Sequence, residues 1–164
     1  MTDALQNINN WFNKALKNPT KQTFVIQLGC CLEEIYELTE SIKLLNYTDE
    51  YGNSFGKGSL KNLSVKELAT RLKKISKTTT DLHVSNVECL DALGDVIVTV
   101  VGLFNILKKI NHLPDDLKLS DILNEINESN FSKFDQDGNP IFNEYGKIMK
   151  SENFRKPDIE QFLK

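Results

Sequence analysis

Two groups of carboxylates have a spacing that could do chemistry. Glu33, Glu34, Glu37 and Glu40 fall in the stretch LEEIYELTES, and Glu88, Asp91 and Asp95 fall in VECLDALGD. At about 100° per residue, Glu33, Glu37 and Glu40 share one side of a helix whose leucines and isoleucines centre on the other, while Glu34 sits nearer the apolar edge. Glu88, Asp91 and Asp95 occupy a narrow arc of a second helix. Just beyond them Val96 to Phe104 is apolar nearly all round, so that helix is expected to be covered by others and its acids to border protein interior. Carboxylates so placed repel one another and lose solvation, which is tolerated when cations neutralise them or some are protonated. Oxygen ligands from two facing helices suit a hard cation, Mg²⁺ or Mn²⁺, that keeps several waters and bridges to a phosphate. The competing reading is a solvated helix face, with negative charge favoured at the helix start. It covers Glu88 and Asp91, but Asp95 lies too deep in the helix for it.

Other chemistries fit these residues poorly. A di-iron bundle site needs Glu-x-x-His on two helices, and the two histidines, His83 and His112, do not stand in that spacing. They are also too few for a zinc hydrolase. There is no P-loop or GxGxxG, and FGKGS is too short for a Walker loop. In Asp135-Gln136-Asp137-Gly138-Asn139 the glycine comes too early for a calcium-binding EF-hand loop, so this stretch reads as a turn. Cys30, Cys31 and Cys89 form neither a CxxC pair nor an even disulfide framework, and are expected to be reduced thiols.

The elements that must position the acids are helices. Proline occurs only at 19, 114, 140 and 157, which leaves long stretches free of helix breakers. Apolar spacing predicts a first helix over about 3–17 and a second over about 21–45, followed by a glycine-rich loop, YTDEYGNSFGKGS. A third helix is expected over about 64–76, opened by a capping box of Ser64 and Glu67. Its surface carries Lys66, Lys73, Lys74 and Lys77. After a polar TTTD turn a fourth helix spans about 84–110, and a fifth, beginning at Ser120 or Asp121, spans about 119–131. Beyond Lys133, two turn signals at Asp137-Gly138 and Tyr145-Gly146 predict a small β-hairpin or ordered loop, with strands near 140–143 and 147–150. Trp11, Phe12 and Phe24 are aromatic residues that could stack on a base or serve the core.

With 164 residues and 40% hydrophobic content, the chain is expected to form one domain. A net charge of −3 argues against coating a nucleic-acid backbone. Binding through the basic third helix is the remaining nucleic-acid reading. The N-terminal MTDALQNINN has no secretory pattern, and the run Val96 to Phe104 is far shorter than the roughly 20 residues that cross a bilayer. The expectation is therefore a cytoplasmic protein with no membrane anchor.

The pattern EEIYE at 33–37, ECLD at 88–91 and the following GD at 94–95 resembles the signature EExxE…ExxD of the all-α nucleoside triphosphate pyrophosphatases, the MazG-like and phosphoribosyl-ATP pyrophosphohydrolase-like proteins. SNFSKFDQDGNPIFNEYGKIMKSENFRKPD, 129–158, resembles the N-x-x-K pattern, hairpin and basic, Pro-ending tail of that family, with Asn130 and Lys133 in place. The likeness covers about 21–45 and 84–158, and residues 46–82 read as an insertion.

The resemblance implies an all-α fold, an antiparallel helix bundle, and Mg²⁺-dependent hydrolysis of a nucleoside triphosphate to monophosphate and pyrophosphate. It implies metal ligation by Glu34, Glu37, Asp91 and Glu88 or Asp95, with Glu33 as the proton acceptor. Asn130, Lys133, Lys147, Lys150 and Arg155 become the candidate contacts to phosphate or sugar. It further implies a homodimer or dimer of dimers, with helices of two subunits completing the pocket. dUTP and dCTP are candidate substrates, alongside phosphoribosyl-ATP and a guanosine alarmone. Two departures stand out: the long segment between Glu37 and Glu88, and Ala92 where many members place glutamate. A non-catalytic helical binding module is the alternative from another class.

Overall fold

The computed structural model describes residues 3–48, 54–56, 63–75, 81–110, 113–144 and 146–163. The chain is mostly helical, as expected. Helix α1 (Ala4–Ala15) starts where the Asp3 carboxylate accepts the Leu5 N–H at 3.3 Å. Its end is satisfied from outside, because Lys109 Nζ donates to the Leu16 carbonyl at 2.9 Å. Helix α2 (Lys21–Ser41) opens on a reciprocal pair in which Thr23 N–H donates to Thr20 Oγ1 at 3.3 Å and Thr20 N–H donates to Thr23 Oγ1 at 3.0 Å.

The expected continuation of α2 to residue 45 does not occur. Ser41 ends the helix, its hydroxyl turned back to the Leu38 carbonyl at 2.7 Å, and β1 (Ile42–Thr48) follows. Ile42 and Leu45 continue the helical period, but a short apolar run fits a strand equally well, and pairing decides. β1 is the centre of a three-stranded antiparallel sheet in the order β2-β1-β3, with β2 at Ser54–Gly56 and β3 at Asp81–Val84. Ile42 faces Val84 and Tyr47 faces Phe55 in this register. The all-α expectation contained no such sheet, and the TTTD turn ends in β3 instead of leading directly into a helix. Gly52, Gly58, Lys77, Thr78 to Thr80, His112 and Tyr145 lie outside the described residues.

Helix α3 (Val65–Ile75) has the expected capping box: Glu67 N–H donates to Ser64 Oγ at 3.3 Å, and Ser64 N–H donates to the Glu67 carboxylate at 2.9 Å. Helix α4 (Asn86–Ile110) is the central element and packs against α2 and α1. Ile106 is fully buried, and Ala92, Thr99, Val101, Gly102 and Asn105 are buried with it. Against α1 the approach is close enough to need glycine. A Cβ built on Gly102 would lie 2.2 Å from the ring of Phe12, which is 3% exposed. Buried polar groups cross the same contacts: Asn105 Nδ2 donates to Asn9 Oδ1 at 2.7 Å and Asn13 Oδ1 at 3.1 Å, and Gln27 Nε2 donates to the Thr99 carbonyl at 3.3 Å.

Only part of α4 is covered. Val87, Leu90, Leu93, Ile97 and Val100 are exposed, and so are Val25, Ile26, Leu28, Leu32 and Tyr36 of α2. The expectation that other helices enclose α4 is therefore not met within one chain. By length and composition the whole of α4, which extends past Asp95 and Asn105 on either side of Val96 to Phe104, is also long and apolar enough to cross a membrane.

Helix α5 (Leu119–Phe131) matches its expected span, but its N-cap is Lys118, without a side-chain cap. The two turn signals that follow need glycine, since Gly138 and Gly146 have φ of 80° and 73°. Between them the expected strands reduce to a single antiparallel bridge of Phe142 with Ile148. Asp135 Oδ1 accepts the N–H groups of Asp137 and Asn139 at 3.0 and 2.8 Å, so its carboxylate builds a turn. A short 3₁₀ segment, Glu160–Leu163, ends the described chain.

Candidate active site

Glu34 of α2 is the acid on which charges from both α2 and α4 act. Partial burial raises the Glu34 carboxyl above its ordinary range. The neighbouring charges of Glu37, Asp95, Glu33 and Asp91 push it further in the same direction. Two of those four stand on α4, so the structure brings the two sequence-predicted groups into one electrostatic neighbourhood. Glu88 is not among the groups acting on Glu34, although it lies on the same helix.

Glu33, Glu37, Glu88, Asp91 and Asp95 are exposed and Glu34 is half-buried. The expectation that the α4 acids point into protein interior is corrected: that side of α4 has no covering helix in the single chain. No three of the acidic, cysteine or histidine side chains converge closely enough to cage an ion among the described residues. Arg155 pairs with Glu125 and Glu128, and no ion pair joins a lysine or arginine to any of the six acids among the described residues. The outer face of α2 forms an open depression of about 410 Å³ lined by Leu32, Glu33, Glu34, Tyr36 and Glu37.

The expected phosphate donors lie elsewhere. Asn130 and Lys133 form one unit at the end of α5, where Lys133 Nζ donates to Asn130 Oδ1 at 2.5 Å. Lys147 is exposed, and the Lys150 ammonium sits 4.3 Å from the centre of the Phe154 ring. Arg155 is already engaged: its guanidinium donates to Glu125 at 2.6 and 3.4 Å and to Glu128 at 2.9 Å. Its backbone is pinned as well, the carbonyl accepting the Ser129 hydroxyl at 2.8 Å and the N–H donating to Ser132 Oγ at 3.0 Å. Arg155 is thus a fastening of the tail to α5, with its charge spent on two glutamates.

Glu125, buried under this fastening, also accepts the Asp158 N–H at 2.7 Å. The Arg155 hydrogen bond and then that N–H hold its carboxyl below the ordinary range, against the opposing effect of burial. Sequence reasoning passed over Glu125, and its i, i+3 spacing with Glu128, facing a later arginine, was the available signal. α5 does not pack extensively on α2 or α4, and no ion pair joins Lys133, Lys147 or Lys150 to the acids among the described residues.

Of the aromatic candidates, Phe12 is core, and Trp11 stands edge-on to it at 4.7 Å between ring centres. Cys30, Cys31 and Cys89 are free thiols. Compared with protein-family models and with curated proteins, the sequence matches none.

Proposed function

We propose that the chain is a Mg²⁺-dependent nucleotide pyrophosphohydrolase, converting a (deoxy)nucleoside triphosphate, with dUTP and dCTP as candidates, to its monophosphate and pyrophosphate. The observation that supports this reading most is Glu34, a carboxyl held above its ordinary range by partial burial and by acids from two helices, with no ion pair to any of these acids among the described residues. Such a cluster is costly in the free chain and is relieved by binding a cation. The donor set, all carboxylate oxygen, fits Mg²⁺ or Mn²⁺ and disfavours softer metals. Glu34, Glu37, Asp91 and Asp95 are the residues that would hold it, with Glu88 further along α4. When bound, the ion supplies neutralisation of phosphate charge and a lowered pKa for the attacking water.

Glu33, exposed on α2, is assigned to take the proton from water, as the family resemblance implies. Water oxygen then bonds to a phosphorus, the bond between the α- and β-phosphates breaks, and pyrophosphate leaves. Lys133, Lys147 and Lys150 remain as donors to the phosphates, whereas Arg155 keeps the tail folded. Since these lysines make no ion pair with the acids of their own chain among the described residues, the reading includes a homodimer or dimer of dimers in which the tail of one copy serves the acids of another. The uncovered apolar residues Val25, Ile26 and Leu28 of α2 and the uncovered face of α4 support that assembly.

The test is release of pyrophosphate from a panel of NTPs and dNTPs with Mg²⁺, for wild type and Glu37→Gln. The expected outcome is release by wild type and a loss of at least about 100-fold in the variant, the scale on which removing one charge-stabilising group acts. No release from any nucleotide, with both proteins folded, would leave a non-catalytic helical module as the better account.

A further inference from the structure

The depression on α2 is graded along its width. Glu34 stands at one edge, where the charges of Asp91 and Asp95 reach it. Glu33 and Glu37 follow, and Leu32 and Tyr36 make up the rest of the lining. Leu32 and Tyr36 are four residues apart on one helix and so lie side by side on one face. They are 46% and 59% exposed, respectively. A nucleotide has the same gradient, with anionic phosphates at one end and a flat apolar π-face at the other.

Resting on the nucleotide reading above, we infer that Tyr36, flanked by Leu32, is the platform on which the base of the substrate stacks. The tyrosine hydroxyl has no partner among the described residues, so the ring is not tied into the fold. The aromatic residues of α1 are unsuited to this role, because Phe12 is buried against Gly102 and Trp11 packs edge-on to Phe12. The chemistry of the lining also fixes the kind of recognition. Within α2 the backbone amides are used by the helix itself, and the remaining lining groups are one leucine and three acids. With the acids committed to the phosphate end, no other group among these lining residues reads the hydrogen-bonding edge of a base. Stacking on a ring accepts every base, because each has a π-face. Base selection by this platform is therefore shallow, and dUTP and dCTP are accepted along with other nucleotides.

Two measurements decide the matter. Steady-state kinetics with four dNTPs should show Tyr36→Ala raising KM about fivefold to tenfold for every base with kcat held within about twofold, the low end of what stacking contributes at an open site. Tyr36→Phe, which keeps the ring, should behave as wild type. Calorimetric titration with non-hydrolysable α,β-methylene deoxynucleotides and Mg²⁺ should show the same loss of affinity, while inorganic tripolyphosphate binds wild type and Tyr36→Ala alike. Unchanged KM and Kd in Tyr36→Ala would overturn the inference. So would a preference above about 100-fold for one base, or a change of association state in Tyr36→Ala at unaltered Kd. Analogues that bind through Tyr36 without any pyrophosphate release from true substrates would sustain the platform and remove the hydrolytic reading. Absence of nucleotide binding by wild type would remove both.

Discussion

Glu34 and Glu125 are two carboxyls displaced in opposite directions, and their linkage to folding has opposite signs. The folded Glu34 carboxyl is raised, so the folded chain binds more protons than the unfolded chain between the ordinary value and the raised one. Stability contributed through Glu34 therefore increases as pH falls through that window. For Glu125 the folded value is lowered. Its contribution is present above the ordinary carboxylate range and is lost as pH falls through the depressed value. In EDTA, thermal unfolding of wild type between pH 7 and pH 3 should first hold or gain and then drop. Glu34→Gln should start higher at pH 7, lack the gain and keep the drop. A variant less stable than wild type at pH 7 would mean that the Glu34 charge is compensated. At this scale the sequence showed which acids share an arc of α2 and of α4, because helical spacing puts acids on arcs whatever covers them, and the structure adds that Asp91 and Asp95 act on Glu34. It gave no sign that Arg155 is spent on Glu125 and Glu128, since that pairing spans the turns of the tail and depends on how they fold.

Among the elements, helices with caps and long periodic stretches were legible, and α5 matched its span. The strands were not. Ile42–Thr48 continues the apolar period of α2, and Asp81–Val84 follows a polar run, so each depends on partners far away in sequence. The α1–α4 contact gives a sharp test of element packing. Gly102→Ala would drive a methyl into the Phe12 ring, forcing the helices apart or the ring off its rotamer. The expected cost is about 1–3 kcal/mol, read as a lower midpoint in urea with an unchanged slope. Phe12→Leu combined with Gly102→Ala should recover part of it, because the space that the added methyl needs is released by the smaller side chain.

For the whole molecule, what one chain leaves uncovered matters as much as what it buries. Val87 and Leu90 are 80% and 69% exposed on the most apolar helix of the protein. Sedimentation in detergent-free buffer should therefore find an oligomer at micromolar concentration, and Leu90→Lys should shift it toward monomer. If wild type instead partitions to lipid vesicles and sediments as monomer in their absence, the face of α4 serves a bilayer and the homo-oligomer falls.

The buried amides between these helices have a mechanical meaning. Rows of leucine and valine are nearly interchangeable from one turn to the next, so two such helices could slide by a pitch, about 5.4 Å, and still find grease against grease. Gln27 on the Thr99 carbonyl sets α2 against α4, and Asn105 between Asn9 and Asn13 sets α1 against α4, as detents against that slip: a shifted α1 would leave the amide of buried Asn105 without its acceptors. α2 is thus indexed on α4 by an uncharged group one turn from Asp95. The carboxylates of the two helices thereby keep their relative phase even while they repel.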